Sequence, residues 1–159
     1  MRGVYTAEIE IAALNPTAGD GLLTLEVPAD MVIEILSASI TNMDIDTAEQ
    51  LEGGLFGITT KGSLAGTSIT PEKHETGDAA STVTALGAGN AGMTTEPDAW
   101  NSKAYDRQGF NNLAGYRYDP IPEERPVISP SKLVGLRLLA APSGAFKAAV
   151  QIVFREIGG

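Results

Sequence analysis

The strongest constraint on this chain lies near its C-terminal end. Phe146, Ala148, Val150, Ile152 and Phe154 occupy every second position, with Lys147, Gln151 and Arg155 between them. Alternation with a period of two over about ten residues puts the apolar side chains on one face of an extended strand, and that face needs a second layer to cover it. Upstream, Val134, Leu136, Leu138 and Ala140 alternate with Gly135, Arg137 and Leu139. The cluster Ala141-Pro142-Ser143-Gly144 separates the two runs, so Pro130 to Ile157 is expected to form an antiparallel hairpin. The rest of the chain has to supply partners for these two strands.

From the start of the chain, Tyr5, Ala7, Ile9 and Ile11 alternate with Thr6, Glu8 and Glu10. Asn15-Pro16 and Gly19-Asp20-Gly21 mark a turn, and Leu23, Leu25 and Val27 form a short strand that stops at Pro28. Met31 to Asn42 is less regular, with Ile33 and Ile35 on the odd face and Leu36, Ala38 and Ile40 on the even face. Two explanations compete. A bulge near Ile35-Leu36 switches faces, or the strand is covered on both sides, which would suit a subunit interface. Gln50 to Thr60 carries Gly53, Gly54 and Gly57 among Leu51, Leu55, Phe56 and Ile58. Glycines inside a strand mark a bulge or a close approach of another backbone. Thr67 to Lys73 reads as a short strand with an edge proline, Pro71.

From Glu75 to about Asn112 the sequence is dominated by Ala, Gly, Ser, Thr and Asn, with a short strand at Ser81 to Leu86. One long loop is expected here, either functional or mobile. Trp100, Tyr105 and Phe110 punctuate it. Such aromatics dock onto a partner or pack back onto their own domain, and the second fate is the more common. Tyr116 and Tyr118 begin another extended piece, and Pro120, Pro122, Pro126 and Pro130 hold an extended backbone into the last two strands. About eight extended segments, few helix-period runs and no linker predict a single all-β domain over residues 1–159, an antiparallel β-sandwich or jelly roll.

Composition narrows the function classes. A chain of 159 residues buries a core without disulfides or metals. With no cysteine, a disulfide scaffold, a thiolate metal site and a cysteine nucleophile are excluded. A net charge of −9 argues against nucleic-acid binding, which needs a clustered basic surface. The N-terminal residues lack the apolar core of a signal peptide, and no apolar run reaches the ~18 residues of a membrane span. A soluble protein made without a classical secretion signal is the expectation.

Individual motifs fare poorly. Gly87-Ala88-Gly89-Asn90-Ala91-Gly92 matches G-x-G-x-x-G, but Pro97 interrupts the helix a dinucleotide site needs after it. Asn42, Asp44 and Asp46 are spaced like the first ligands of a calcium loop, yet Thr47 stands where its glycine belongs and Gly53 where its last carboxylate belongs. His74 is the only histidine, too few for a zinc or cupin-type site, and its charged neighbours read as a surface edge. Glu8 with Glu10, and Glu123 with Glu124, are carboxylate pairs without sugar-stacking aromatics beside them. No enzyme activity, cofactor or metal is expected.

The overall pattern resembles the jelly-roll capsid decoration (cement) proteins of tailed bacteriophages. The resemblance rests on the early strand Val4-Tyr5-Thr6-Ala7-Glu8-Ile9, the glycine-rich middle, and the Pro126 to Ile157 segment with its ending Phe154-Arg155-Glu156-Ile157-Gly158. It spans nearly the full length but is one of texture, without a diagnostic motif. It implies a virion structural protein, made in the host cytoplasm, whose homotrimers sit on the outer capsid surface and clamp the major capsid protein. Trp100, Tyr105, Phe110, Ile33, Ile35, Gly53, Gly54 and Phe56 are then the candidate interface residues. Neither nucleic acid nor membrane is an expected partner. The alternative is a β-sandwich module of a phage tail or fibre that binds a carbohydrate or receptor.

Overall fold

The computed structural model describes residues 3–44 and 47–158. Its strands are β1 (Gly3–Leu14), β2 (Gly21–Glu26), β3 (Ile33–Asn42), β4 (Gln50–Thr60), β5 (Thr67–Ile69) and β6 (Glu72–Lys73). There follow β7 (Thr84–Gly87), β8 (Ala99–Asn111), β9 (Tyr116–Tyr118), β10 (Val127–Ile128), β11 (Leu133–Leu138) and β12 (Phe146–Glu156). Among the described residues one 3-10 turn covers Pro122–Glu124. Among the described residues no helix is long and apolar enough to cross a membrane.

Two antiparallel sheets pack face to face. The first has the order β10-β3-β12-β1-β6, with β9 also pairing β3, and the second has the order β5-β7-β2-β11-β4-β8. Four pairs link strands in nested order, β1 with β12, β2 with β11, β3 with β9 and β10, and β4 with β8. These four pairs form one long antiparallel ribbon rolled so that successive strands alternate between the sheets. That winding is the jelly roll, two interlocked Greek keys.

The expected hairpin at Pro130 to Ile157 does not form. β11 is a central strand of the second sheet, between β2 and β4, and β12 is central in the first, between β1 and β3. The segment 139–145 crosses the sandwich from one layer to the other. Alternation identifies a strand with one buried face, but it is equally satisfied when the two runs face each other across the core. The core is made that way, with Val134, Leu136 and Leu138 in one layer and Ala148, Val150, Ile152 and Phe154 in the other, all fully buried. At about 25 cal/mol per Å2 of apolar surface, each large side chain buried there contributes roughly 1.5–3 kcal/mol.

The irregular third strand contains the bulge. Val153 pairs with Ser37 and Phe154 with Ile35, so Leu36 is the extra residue. Ile33 and Ile35 before the bulge and Ala38 and Ile40 after it all point into the core. Thr67 to Lys73 is two strands. β5 edges the second sheet and β6 edges the first, with Pro71 buried at the corner between them.

The long loop expected over Glu75 to Asn112 is corrected as well. It holds β7 and the thirteen-residue β8, the longest strand of the structure. β8 has the composition of a loop because it lies at the edge of its sheet, where most of its side chains are exposed or half-buried.

Candidate functional site

Most of the predicted interface residues are used inside the chain. Ile33 and Ile35 are fully buried core residues, so of the two explanations for this strand the bulge holds and the two-sided strand does not. Gly53 and Gly54 permit a close approach of this chain's own backbone. A methyl group at Gly53 would lie 2.9 Å from the Arg137 carbonyl oxygen, and one at Gly54 would overlap that of Asp106. Phe110 packs against Tyr116 with ring centroids 5.9 Å apart.

Phe56 and Trp100 flank a half-buried cation on the outer face of the second sheet. The Arg137 guanidinium lies 5.3 Å from the Phe56 ring centroid and 4.7 Å from that of Trp100, a cation–π arrangement in a partly desolvated setting. Its Nε donates to the Gly19 carbonyl at 2.9 Å. Burial lowers the Arg137 pKa, and the nearby Glu96 and Asp20 charges oppose that shift. Glu96 accepts from Gly21 N–H at 2.9 Å and from Met93 N–H at 3.3 Å. Burial pushes its carboxyl above the usual range, and those N–H groups hold it back. The segment before β8 is thereby pinned over its own sheet. These side chains serve the fold.

Two further carboxylates have structural roles that the sequence analysis did not assign. Glu156 is fully buried, and its Oε1 accepts from Ser81 Oγ at 2.7 Å and Thr82 N–H at 3.1 Å. The signal was present: Glu156 continues the buried parity of β12 beyond Phe154. Asp106 on β8 accepts from Tyr116 on β9 and from Gln108 Nε2, each at 2.7 Å. Burial, then Asp106 itself, drives the Tyr116 phenol pKa upward.

Gly89 and Gly92 exchange backbone hydrogen bonds in a tight turn, with Gly92 at φ 100°, and no helix follows. Asn42 Oδ1 accepts from Asp44 N–H at 2.8 Å, whereas Asp46 lies outside the described residues. Among the described residues no group of three or more His, Cys, Asp or Glu is placed to hold a metal ion. His74 Nε2 bonds Thr6 Oγ1 at 2.7 Å. Glu10 pairs with Lys147 at 2.9 Å, Glu8 is exposed, and Glu123 and Glu124 sit in the 3-10 turn.

One predicted residue reaches the surface with its ring open. Tyr105 is 47% exposed. Phe56 pairs with Ala104 and Leu55 with Asp106, so Tyr105 is the extra residue of a bulge, which re-aims its side chain. With Asn101, Thr59, Val127, Ser129 and Lys132 it lines a groove of about 320 Å3 between the edge of the second sheet and β10. A second groove, of about 380 Å3, lies on the outer face of the first sheet beside Ser37, Ser39, Thr41 and Gln151. Both are partly open to solvent. Compared with protein-family models, curated proteins and solved structures, the chain matches none.

Proposed function

We propose that this chain is a virion structural protein, a decoration protein whose homotrimers bind the outer face of a tailed-phage capsid and stabilise the shell. The observation that carries this reading is where the polar chemistry goes. Glu96, Glu156, Asp106 and Arg137 are all committed to holding the jelly roll together, while the long edge strand β8 and its Tyr105 groove are left open. That is the economy of a binding scaffold. The net charge of −9 supports a place outside the shell, away from packaged DNA. Binding to the assembled shell and not to loose subunits would stabilise the shell by mass action, and several contacts per oligomer would add avidity.

A carbohydrate-binding module needs an aromatic platform. Tyr105 supplies one open ring, but Trp100 is committed to Arg137, so the decoration reading is the stronger. The test is cosedimentation with empty shells assembled from the capsid protein of the virus that carries this chain. Saturable binding to shells, absent with unassembled subunits, is the expected result. No binding to shells, with a saccharide hit on a glycan array, would replace this reading by the module.

A further inference from the structure

The two ends of the sandwich differ in charge. Loops 27–32, 61–66, 74–83, 119–126 and 129–132 gather at the end where β1 begins. They carry charges of both signs, Asp30, Lys61, Glu75, Glu123, Arg125 and Lys132 among them. Loops 15–20, 43–49, 88–92, 112–115 and 139–145 belong to the opposite end. These hold no lysine or arginine, and among the described residues their charged side chains are Asp20, Asp44 and Glu49. Cations on the strands leading into this end are used within the chain. Lys147 pairs with Glu10 at 2.9 Å, Arg107 pairs with Glu52, and Arg137 donates to the Gly19 carbonyl at 2.9 Å.

The same end exposes apolar side chains on a fixed frame. Met43 and Leu113 are 49% and 50% exposed, and Ala48, Ala114, Ala141 and Ala145 on the same loops are exposed too. Asn112, itself buried, pins these loops to one another. Its Oδ1 accepts from Glu49 N–H and its Nδ2 donates to the Thr47 carbonyl, each at 3.0 Å. Glu49 in turn accepts from Ser143 N–H at 2.9 Å, and Met43 N–H donates to the Lys147 carbonyl at 2.8 Å. A surface held in this way loses little conformational freedom when it docks. An apolar centre poor in charge is what separates the core of a protein interface from ordinary surface.

We infer that this loop end, centred on Met43 and Leu113, is the surface by which the protein stands on the assembled shell, against an apolar patch of the shell protein. The inference rests on the decoration reading and names its contact. Charge decides against a second copy as the occupant, because two such ends brought together oppose their carboxylates with no lysine or arginine on either end to answer them. Area points the same way. Six strands ~4.8 Å apart and two layers ~10 Å apart give an end of about 30 by 20 Å, or about 600 Å2. A standard stable pair buries about 800 Å2 on each partner. One such contact is weak alone, whereas a shell that repeats its patch at fixed spacing holds an oligomer through several. The Tyr105 groove, lined by Thr59, Ser129 and Lys132, lies toward the charged end and stays clear of this contact.

The experiment is cosedimentation with empty shells, scored beside native mass by light scattering, with circular dichroism and a thermal melt as fold controls. Met43→Asp with Leu113→Asp should keep spectrum, melt and native mass, because both side chains are half exposed. It should weaken shell binding about tenfold or more, since each new carboxylate loses water without gaining a partner. Ala141→Glu, on a separate loop, should weaken binding in the same direction. Glu123→Lys with Lys132→Glu, at the charged end, should bind as the wild type does; a loss there moves the contact to that end and overturns the inference. Shell binding that survives both the Met43/Leu113 double substitution and Ala141→Glu overturns it too, and leaves the proposed function standing. A double variant whose native mass falls makes this end a contact between copies and also overturns it. A wild type that ignores shells removes the proposed function, and the assignment of this end to a shell goes with it.

Discussion

The Tyr116 hydroxyl on β9 donates to the Asp106 carboxylate on β8 at 2.7 Å, joining the edge of one sheet to the edge of the other. A hydrogen bond to a charged acceptor is worth roughly 1.5–3 kcal/mol. Tyr116→Phe should lower stability within that range by urea denaturation. The alkaline limb gives a second signature. Burial raises the Tyr116 pKa above its ordinary 10.0, so its contribution is fully present below pH 10 and is lost as pH rises beyond it. The variant should lose stability less steeply than wild type above pH 10; parallel curves would show that Tyr116 does not titrate with unfolding.

Glu96 allows a comparison of shape with charge. Glu96→Ala strands the Gly21 and Met93 N–H groups that the carboxylate now satisfies and should cost about 1–3 kcal/mol. Glu96→Gln keeps an acceptor and should cost less. The folded pKa is raised, so the Glu96 term favours the fold at low pH and is lost as pH rises through the folded value. A wild-type stability profile above pH 4.5 no different from that of Glu96→Gln would contradict this.

Glu156→Ala leaves Ser81 Oγ and Thr82 N–H without their buried acceptor. A loss of about 1–3 kcal/mol is expected. Hydrogen exchange should also quicken in the segment before β7. Unchanged exchange there would mean that the carboxylate does not hold that segment.

Gly54→Ala tests the seam between β4 and β8. The added methyl overlaps the Asp106 carbonyl oxygen, which is backbone and cannot rotate away. Overpacking of this kind costs roughly 1–3 kcal/mol or more. Gly144→Ala, where nothing lies within 4 Å, is the matched control. Equal melting temperatures for the two variants would remove the steric account of Gly54.

The alternation in β1 and β12 was legible because each strand buries one face, and the switch at Leu36 could be narrowed to two explanations of which the bulge is correct. What escaped was whatever depends on a neighbour. Whether β11 and β12 pair or oppose each other leaves the same alternation. An edge strand such as β8 has half its surroundings in water and therefore the composition of a loop. For the site, Trp100, Phe110 and Phe56 were expected at an interface, but they pack on Arg137 and Tyr116 of their own chain, which lie elsewhere in the sequence. Tyr105 alone of the aromatics turned out open, because a bulge is a property of the pairing and not of the residue.

The rolled ribbon also sets an order of events during synthesis. Gly3 pairs with Glu156, and β1 and β3 meet only through β12. While the ribosome is still making the middle of the chain, the first sheet has no centre, and its finished strands hold apolar faces that nothing yet covers. Contacts this distant in sequence make for slow folding, and exposed strands are prone to aggregate while they wait. The acidic charge of the nascent chain, by mutual repulsion, keeps neighbouring unfinished copies apart until β12 emerges and joins β1 to β3 at the centre of the first sheet.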